Sequence, residues 1–283
     1  MSIEKEIDKQ LSSYALKHGA DFANVFDEWL DWMIAFFDRD NVLHHDCDFS
    51  KICDEMKESN ETYYNCFTSI AKETAKQIED KGWFDAFGTI YEEKVKTGYK
   101  ASSMGQFFTP EGLCDGLAKM LYTKERTFIN DPACGSGRLP LAMWGNIDKD
   151  KFHYFVLGDI DPLSCKMSAL NMMLHGMFGI VERRDALRMD FFGGYVINEM
   201  CYPFPCAMPS IRVADEQECR MNLAFARQIA PHREDVQEGV KIEHQVVEPP
   251  VVEPADAPIE PISQPQAQAG QPIQLSLFNL NEL

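Results

Sequence analysis

Apolar residues recur at intervals of three and four over residues 1–100, which is the period of an amphipathic helix. Short runs of this pattern lie around Ile3–Leu11 and Tyr63–Ile70. The longest run comprises Phe22, Val25, Phe26, Trp29, Leu30, Met33, Phe36 and Phe37. Residues 1–100 also contain no proline. We therefore predict several amphipathic helices that pack into an all-α N-terminal domain over residues 1–100.

The pattern changes near Thr127 to short apolar runs that alternate with glycine-bearing turns and helical stretches. Four such runs predict buried strands, at Thr127–Asn130, Tyr154–Leu157, Ile180–Glu182 and Tyr195–Ile197. A helical pattern over Leu163–Leu174 separates the second run from the third. Alternating strands and helices predict an α/β domain with a parallel sheet and crossover helices, which we place at residues 101–230.

The last part of the chain, residues 231–283, is rich in Pro, Glu and Gln and predicts a disordered tail. It carries nine acidic and two basic residues, a net −7 of the −18 of the whole chain. A strongly acidic chain repels nucleic acid at long range. Contact with DNA would therefore require a local basic patch or a basic partner.

A glycine-bearing turn directly follows the first predicted strand. The residues Asp131-Pro132-Ala133-Cys134-Gly135-Ser136-Gly137 lead into a predicted helix. Gly135 and Gly137 let the backbone turn tightly and let a ligand approach closely, and a helix N-terminus presents free amides to a polar or anionic group. An ordinary tight turn remains the alternative for Gly-x-Gly taken alone.

Two acidic residues strengthen the prediction of a ligand site. Asp159 ends the second predicted strand, where a carboxylate can accept hydrogen bonds from both hydroxyls of a ribose. Asp185 closes the third strand, where a carboxylate can accept an amino hydrogen of adenine. The turn and the two acids together suit a ligand that contains adenosine.

The glycine turn resembles the cofactor-binding motif of adenine-N6 DNA methyltransferases, most closely that of the modification subunits of type I restriction systems. Gly105–Pro110 matches the second cofactor motif, which precedes the glycine motif in this subclass. Asp85–Glu92, Gly158–Pro162 and Asn171–Gly176 resemble the neighbouring elements, and Asp185 matches the adenine-contacting position. The resemblance runs from about Trp83 to Asn198. It implies a class I S-adenosylmethionine-dependent methyltransferase domain with a Rossmann-like α/β fold.

The resemblance implies S-adenosylmethionine as cofactor and gives roles to eight residues. Those expected to flank the methionine part are Phe107, Thr109 and Pro110; those around the sulfonium and carboxylate are Asp131, Gly135 and Gly137; Asp159 binds the ribose and Asp185 the adenine. Core packing is the alternative for Phe107. A nucleotide, or no ligand, in the same doubly wound geometry is the alternative to S-adenosylmethionine.

The chain departs from the family after the fourth predicted strand, where the family has an Asn/Asp/Ser-Pro-Pro-aromatic tetrapeptide. Those residues orient the amine of a flipped adenine and stack on its ring. Here the sequence is Asn198-Glu199-Met200-Cys201-Tyr202-Pro203-Phe204. We predict Asn198 as acceptor of the target amine and Phe204 as the stacking aromatic. Roughly thirty residues then precede the tail, too few for three more strands with crossovers of about a dozen residues, so we expect a truncated domain.

The tail contains a segment, Gln274–Phe278, that resembles the short peptide by which bacterial replication and repair proteins bind the sliding clamp. In that resemblance Leu277 and Phe278 fill a pocket, Leu275 adds a contact, and Gln274 bonds the rim of the pocket. A disordered tether gives such a peptide a long reach. An apolar C-terminal segment without a partner is the alternative.

Other features bear on location and on metals. The charged start and the lack of any apolar run of membrane-spanning length predict no signal peptide and no membrane span. Nine dispersed cysteines without a Cys-x-x-Cys pair predict reduced thiols in a cytoplasmic protein. We expect no metal site, because His44-His45-Asp46-Cys47 with Cys53 fits no usual zinc spacing.

Two functions remain open. One is an S-adenosylmethionine-dependent DNA adenine-N6 methyltransferase, with DNA and a specificity or second methyltransferase subunit as partners. The other is a non-catalytic S-adenosylmethionine-binding protein that acts through the sliding clamp. The cofactor motifs favour the first, and the missing Pro-Pro favours the second.

Overall fold

The computed structural model describes residues 2–97, 109–121, 127–149, 151–201 and 208–229. Seven helices precede the first strand in these ranges: α1 Ile3–His18, α2 Phe22–Phe36, α3 Arg39–His44, α4 Phe49–Ser59, α5 Glu61–Lys81, α6 Ala86–Thr97 and α7 Glu111–Met120. The predicted amphipathic helices of residues 1–100 are confirmed. In these ranges, no helix is both long enough and apolar enough to cross a membrane.

Local sequence signals explain where these helices begin and end. The Asp21 side chain accepts a hydrogen bond from the Asn24 amide and caps α2. Gly19 ends α1 in the left-handed conformation, which glycine adopts at little cost. Within the apolar stripe of α2, Trp29 and Leu30 are fully buried. The helical period and the capping residues together therefore determine where these helices begin and end.

The rest of the described chain forms one mixed sheet with three further helices. The strands are β1 Thr127–Asp131, β2 His153–Asp159, β3 Gly179–Arg184, β4 Phe191–Ile197 and β5 Ile211–Ala214, in that spatial order. The helices are α8 Arg138–Asn146, α9 Pro162–Leu174 and α10 Glu216–Ile229, and a 3₁₀ turn occupies Glu199–Cys201. The four predicted strands all occur, and β5 is an additional strand that the sequence reading did not identify.

The prediction of a parallel sheet holds for β1 to β3 and is wrong for β4. β1 pairs with β2 and β2 with β3 in parallel, whereas β4 is antiparallel to β3, and β5 is antiparallel to β4. Only six residues, 185–190, join β3 to β4. A parallel neighbour needs a crossover of about a dozen residues or more, so this short connection can only reverse the chain.

Helices cover both faces of the sheet. On one face α9 packs on the sheet and also contacts α2 and α6, so that one hydrophobic core joins N-terminal helices to the strands. On the other face α10 packs on β3 and β4 over a smaller core that includes Tyr154 and Val196. Residues on either side of position 100 therefore share one core.

Two polar links reinforce the contact between the N-terminal helices and the sheet. The amide of Ile211 on β5 donates to the carbonyl of Phe37 at 2.7 Å. The ammonium of Lys166 on α9 lies 2.7 Å from carboxylate oxygens of both Asp27 and Asp31 on α2. Burial alone would lower the pKa of Lys166, but the hydrogen bonds to the two acids and their negative charges outweigh it and raise that pKa.

Candidate functional site

The three predicted cofactor acids lie at one edge of the sheet. Asp131 ends β1, Asp159 ends β2 and Asp185 directly follows β3. Because β1, β2 and β3 are parallel, their carboxyl ends meet at the same edge, which is where ligands bind in open α/β sheets. Burial, together with the negative charge of Asp159, raises the pKa of Asp131. The structure therefore brings together the three acids that the sequence predicted.

The glycine turn lies between Asp131 and α8 and has a fixed shape. Gly135 and Gly137 have φ values of 56° and 85°, which non-glycine residues rarely adopt. The Gly135 amide donates to Oδ2 of Asp159 at 2.9 Å. A Cβ on Gly137 would lie 3.3 Å from Cβ of Ser168 on α9, so this glycine also allows close packing. We call residues 131–137 the glycine loop.

Asp159 links the glycine loop to the start of α9. Besides the Gly135 amide, the Asp159 carboxylate accepts the amide of Asp161 at 2.9 Å. Asp161 in turn caps α9 by accepting from the Ser164 amide at 2.9 Å. An ionised carboxylate has about four acceptor sites, so two bonds to amides do not exhaust the capacity of Asp159 for a ligand.

Asp185 closes a tight turn between β3 and β4. Its Oδ1 accepts from the amides of Leu187 and Arg188 at 2.9 and 3.0 Å. These two backbone bonds hold the pKa of the Asp185 carboxyl below its usual range. Apolar side chains stand exposed beside the acids at this edge: Ile160 is 57% exposed and Leu187 is 95% exposed. The edge thus combines carboxylate acceptors with exposed apolar surface.

The buried carboxylate of Asp85 supports the glycine loop through hydrogen bonds. Asp85 precedes α6 and is 0% exposed. It accepts hydrogen bonds from Oγ of Ser136 at 2.7 Å, Nε of Arg138 at 2.8 Å and Nδ2 of Asn171 at 2.9 Å. Burial raises the pKa of Asp85, and the Arg138 charge and the hydrogen bonds from Ser136, Arg138 and the Gly88 amide oppose the rise. We call Asp85, Ser136, Arg138 and Asn171 the loop-support network.

Gly88 is required by this network. A Cβ at Gly88 would lie 2.2 Å from Oδ2 of Asp85 and 2.5 Å from Oγ of Ser136. The Gly88 amide itself donates to Oδ1 of Asp85 at 2.9 Å. Asp85 and Asn171 lie in segments that resemble the family, but the resemblance implied no role for either residue. A charged residue set among apolar ones in Trp83–Ile90 is the signal that could have found Asp85.

A buried histidine joins the same region to α9. Nε2 of His175 accepts the Phe84 amide at 3.1 Å, and Nδ1 lies 2.7 Å from the Asn171 carbonyl oxygen. Nδ1 must therefore carry the proton of a neutral imidazole. Burial, with a smaller contribution from the charge of Lys149, lowers the pKa of His175 to about 4.

The described chain includes two of the three predicted methionine-flanking residues. Thr109 and Pro110 lie just before α7, and the Thr109 carbonyl accepts from Nη1 of Arg138 at 3.2 Å. Phe107 lies outside the described residues, as does Phe204. The predicted clamp-binding residues, Gln274, Leu275, Leu277 and Phe278, also lie outside them.

The structure does not bring Asn198 to this edge. Ile197 pairs with Gly179, the first residue of β3, so Asn198 lies beside the amino end of β3. At about 3.3 Å per residue, the length of β3 separates it from Asp185 by roughly 20 Å. Asn198 is 0% exposed. The prediction that Asn198 lies at the site is wrong because β4 runs antiparallel to β3, whereas a parallel β4 would end at the carboxyl edge.

Backbone groups use the hydrogen-bonding capacity of Asn198. Its Nδ2 donates toward the carbonyls of Met172, Met173 and Met177, the closest at 3.0 Å. Its Oδ1 accepts the Ser210 amide at 3.1 Å. The side chain thus ties the end of α9 to the approach to β5, which suits a structural role.

The sequence predicted no metal site at residues 44–47 with Cys53. Nε2 of His45 lies 2.7 Å from a carboxylate oxygen of Glu55, and Cys53 is buried. Burial raises the pKa of the Cys53 thiol to about 11, which keeps it protonated. Across the described ranges, no three His, Cys, Asp or Glu side chains are grouped so that they could hold a metal ion.

Comparison with known proteins matches the segment that carries this edge. Residues 83–192 match the family model described as N-6 DNA Methylase. The methylase subunit of the type I restriction enzyme MjaIX from Methanocaldococcus jannaschii is 28% identical over 114 residues, which are 38% of this chain and 20% of that protein. The methylase subunit of the type I restriction enzyme MpnII from Mycoplasma pneumoniae is 31% identical over 104 residues, 35% of this chain and 19% of that protein.

The matches are partial. The chain spans about a fifth of the length of these two relatives. A crystal structure of a modification subunit assigned to a type I restriction enzyme of Vibrio vulnificus YJ016 aligns with 40% of this chain and 25% of that chain, at 16% identity and a TM-score of 0.32. By sequence, residues 83–192 match the N-6 DNA methylase family model and resemble part of the methylase subunits of type I restriction enzymes.

Proposed function

We propose that this chain binds S-adenosylmethionine at the carboxyl edge of β1 to β3. One observation carries the proposal. The glycine loop, which is already shaped without a ligand, lies at the same edge as Asp131, Asp159 and Asp185. The loop needs no ligand to hold its shape, because Asp159 already binds the Gly135 amide. Preorganisation of this kind reduces the entropy lost when a ligand binds.

The residues at the edge fit the parts of this cofactor. Asp159 retains acceptor sites for ribose hydroxyls, and Asp185 retains them for the adenine amino group. Ile160 and Leu187 offer exposed apolar surface on which a flat base can lie. Asp131, with Gly135 and Gly137, would hold the region around the sulfonium and the carboxylate. Phe107, Thr109 and Pro110 would flank the methionine part.

We further propose that the protein takes part in methylation of adenine N6 in DNA. When bound, S-adenosylmethionine would supply a methyl group: the carbon–sulfur bond of the sulfonium breaks, the sulfur leaves as a neutral thioether, and the adenine amine gains the methyl group and loses a proton. The family match of residues 83–192 supports this reaction class. The chain would fix the cofactor in place, and such orientation accounts for much of the barrier lowering in two-substrate reactions.

A partner would supply what this chain does not present at the site. Asn198 is buried roughly 20 Å from Asp185, so another residue would accept the target amine. Phe204 remains a candidate for stacking on the flipped base. The net charge of −18 opposes DNA binding by this chain alone. A specificity subunit or a second methyltransferase subunit with a basic surface would provide both the residue that binds the target amine and the surface that binds DNA.

A second candidate function is a non-catalytic protein that binds S-adenosylmethionine and acts at the sliding clamp. The burial of Asn198 favours it, and so does the sequence Gln274-Leu275-Ser276-Leu277-Phe278. In this function the tail tethers an acidic protein to a clamp that already encircles DNA.

Calorimetric titration of the full chain with S-adenosylmethionine tests the cofactor proposal. We expect binding that weakens in Asp159→Ala, with Asp148→Ala, outside the edge, as the matched control. If the folded wild-type chain shows no binding, the proposal is refuted.

Transfer of a labelled methyl group to unmethylated bacterial DNA tests the reaction. Label in N6-methyladenine only after a specificity subunit is added supports the partner-dependent enzyme. Label with the chain alone contradicts the need for a partner. No label with either preparation, while S-adenosylmethionine still binds, favours the non-catalytic function.

Deletion of residues 271–283 tests the tail. We expect it to abolish binding to purified sliding clamp, and Leu277→Ala with Phe278→Ala to do the same in the full chain. Unchanged affinity for the clamp would rule out this partner.

A further inference from the structure

Arg138 occupies a position where a positive charge is unfavourable. It is the first residue of α8, and the N-terminus of a helix carries a partial positive charge. Arg138 is also only 4% exposed, so water does little to stabilise its charge. A buried guanidinium at this position therefore requires compensating partners, and their identity indicates its role.

The guanidinium of Arg138 reaches three separate parts of the chain. Its Nε donates to Asp85 at 2.8 Å. Its Nη1 and Nη2 donate to the two carboxylate oxygens of Glu92 on α6, at 3.0 and 3.1 Å. Nη1 also donates to the carbonyl of Thr109 at 3.2 Å. The planar fork of arginine can hold such directed bonds at the same time, whereas lysine cannot.

These bonds connect the two segments that the proposed cofactor site needs. The backbone of Arg138 directly follows the glycine loop, in which the Ser136 hydroxyl donates to Asp85 and the Ser136 carbonyl accepts from Asn171. The Arg138 guanidinium holds the backbone at Thr109, the segment that would flank the methionine part. Glu92 binds the fork in two places and so fixes its orientation.

We propose that Arg138 is a positioning residue that sets the separation between the glycine loop and the Thr109–Pro110 segment. Both segments then reach a single S-adenosylmethionine molecule, the loop near its sulfonium and Thr109–Pro110 along its methionine part. This inference rests on the proposed cofactor site and adds to it a specific consequence. Loss of the fork should weaken binding of the methionine part and spare binding of the adenosine part.

Two ligands separate this role from a merely structural one. S-adenosylmethionine carries both parts, whereas adenosine carries only the part assigned to Asp159 and Asp185. Arg138→Lys keeps a positive charge near Asp85 and removes the fork. Glu92→Gln keeps Arg138 and removes the carboxylate that orients it, so it serves if the first variant does not fold.

Arg212 offers a matched control for these variants. It lies on β5, away from the carboxyl edge of β1, and binds Glu199 through Nε and Nη2 at 2.7 and 3.1 Å and Glu218 through Nη1 at 2.8 Å. Arg212→Lys therefore removes a similar fork between two glutamates. We expect it to leave the affinity for both ligands unchanged.

Calorimetric titration of the full chain with each ligand is the test. Loss of one or two charge-assisted hydrogen bonds predicts an S-adenosylmethionine affinity about 10- to 100-fold lower in Arg138→Lys and in Glu92→Gln, with adenosine affinity unchanged within about twofold. Equal weakening of both ligands, or of neither, overturns the inference. A wild-type chain that binds neither ligand instead refutes the proposed function, and this inference with it.

Discussion

The two edges of the sheet use polar side chains in opposite ways. At the carboxyl edge of β1 to β3, Asp159 and Asp185 each accept two backbone amides and keep acceptor capacity for a ligand. At the other edge, Asn198 is fully buried and bonded to backbone groups of three methionines and Ser210. A polar residue is available for chemistry only where the fold leaves part of its hydrogen-bonding capacity unused.

The largest effect on stability should come from removing the Asp85 carboxylate, which supports the glycine loop at the carboxyl edge. Asp85→Ala removes the fully buried partner of the Arg138 guanidinium, which then keeps Glu92 as an ion-pair partner, and the loss of a buried partner costs about 3–5 kcal/mol. Urea denaturation followed by circular dichroism measures the loss. As a control, Asp40→Ala removes a largely exposed partner of Arg39 and should change stability by less than about 0.5 kcal/mol. Equal losses in the two variants would show that Asp85 does not support the edge.

A pH dependence should come from His175, which is buried at the end of α9. Its pKa is about 4 in the folded chain and about 6.5 when unfolded, so only the unfolded state gains a proton as the pH falls between these values. The free energy of unfolding should therefore be fully supported above about pH 6.5 and fall by up to about 3 kcal/mol toward pH 4.

Denaturation at a series of pH values tests the His175 prediction. His175→Gln, which does not titrate, should show a smaller fall over the same interval, and the difference between the two profiles isolates the histidine from the carboxylates. Parallel profiles for the variant and the wild type would contradict the assigned tautomer and burial.

Substitution of Asn198, at the other edge of the sheet, should lower stability and leave ligand binding unchanged. Asn198→Ala leaves the Met177 carbonyl and the Ser210 amide without this partner, which costs about 1–3 kcal/mol. The affinity for S-adenosylmethionine should stay the same. Asn198→Gly, which tolerates the φ of 56°, separates backbone strain from lost hydrogen bonds. Loss of cofactor binding at unchanged stability would return Asn198 to the site.

The reverse pattern should hold for Asp185. Asp185→Ala should lower the affinity for S-adenosylmethionine about tenfold, the effect of losing one hydrogen bond to the ligand, and should change stability little. Asp190→Ala, in the same turn, is the matched control and should affect neither. A large loss of stability with normal affinity would make Asp185 a turn residue only.

Much of the fold could be predicted because its signals are local. The helical period of Val25, Phe26, Trp29 and Leu30 and the short apolar runs around Phe155 and Val181 locate helices and strands without knowledge of their partners. The positions of Asp131, Asp159 and Asp185 at strand ends are also local. The rule that parallel strands end at one edge then places them together.

The direction of β4, the existence of β5 and the burial of Asn198 depended on the tertiary structure. An apolar run reads the same whether its neighbour is parallel or antiparallel, and the difference arises from which strand hydrogen-bonds to it. The loop-support network also could not be predicted from the sequence. Asp85, Arg138 and Asn171 are far apart along the chain, and only packing of α6, α8 and α9 brings their side chains within hydrogen-bonding distance. The sequence by itself determined which residues end the strands; only the folded chain decided which of them still have hydrogen bonds to offer.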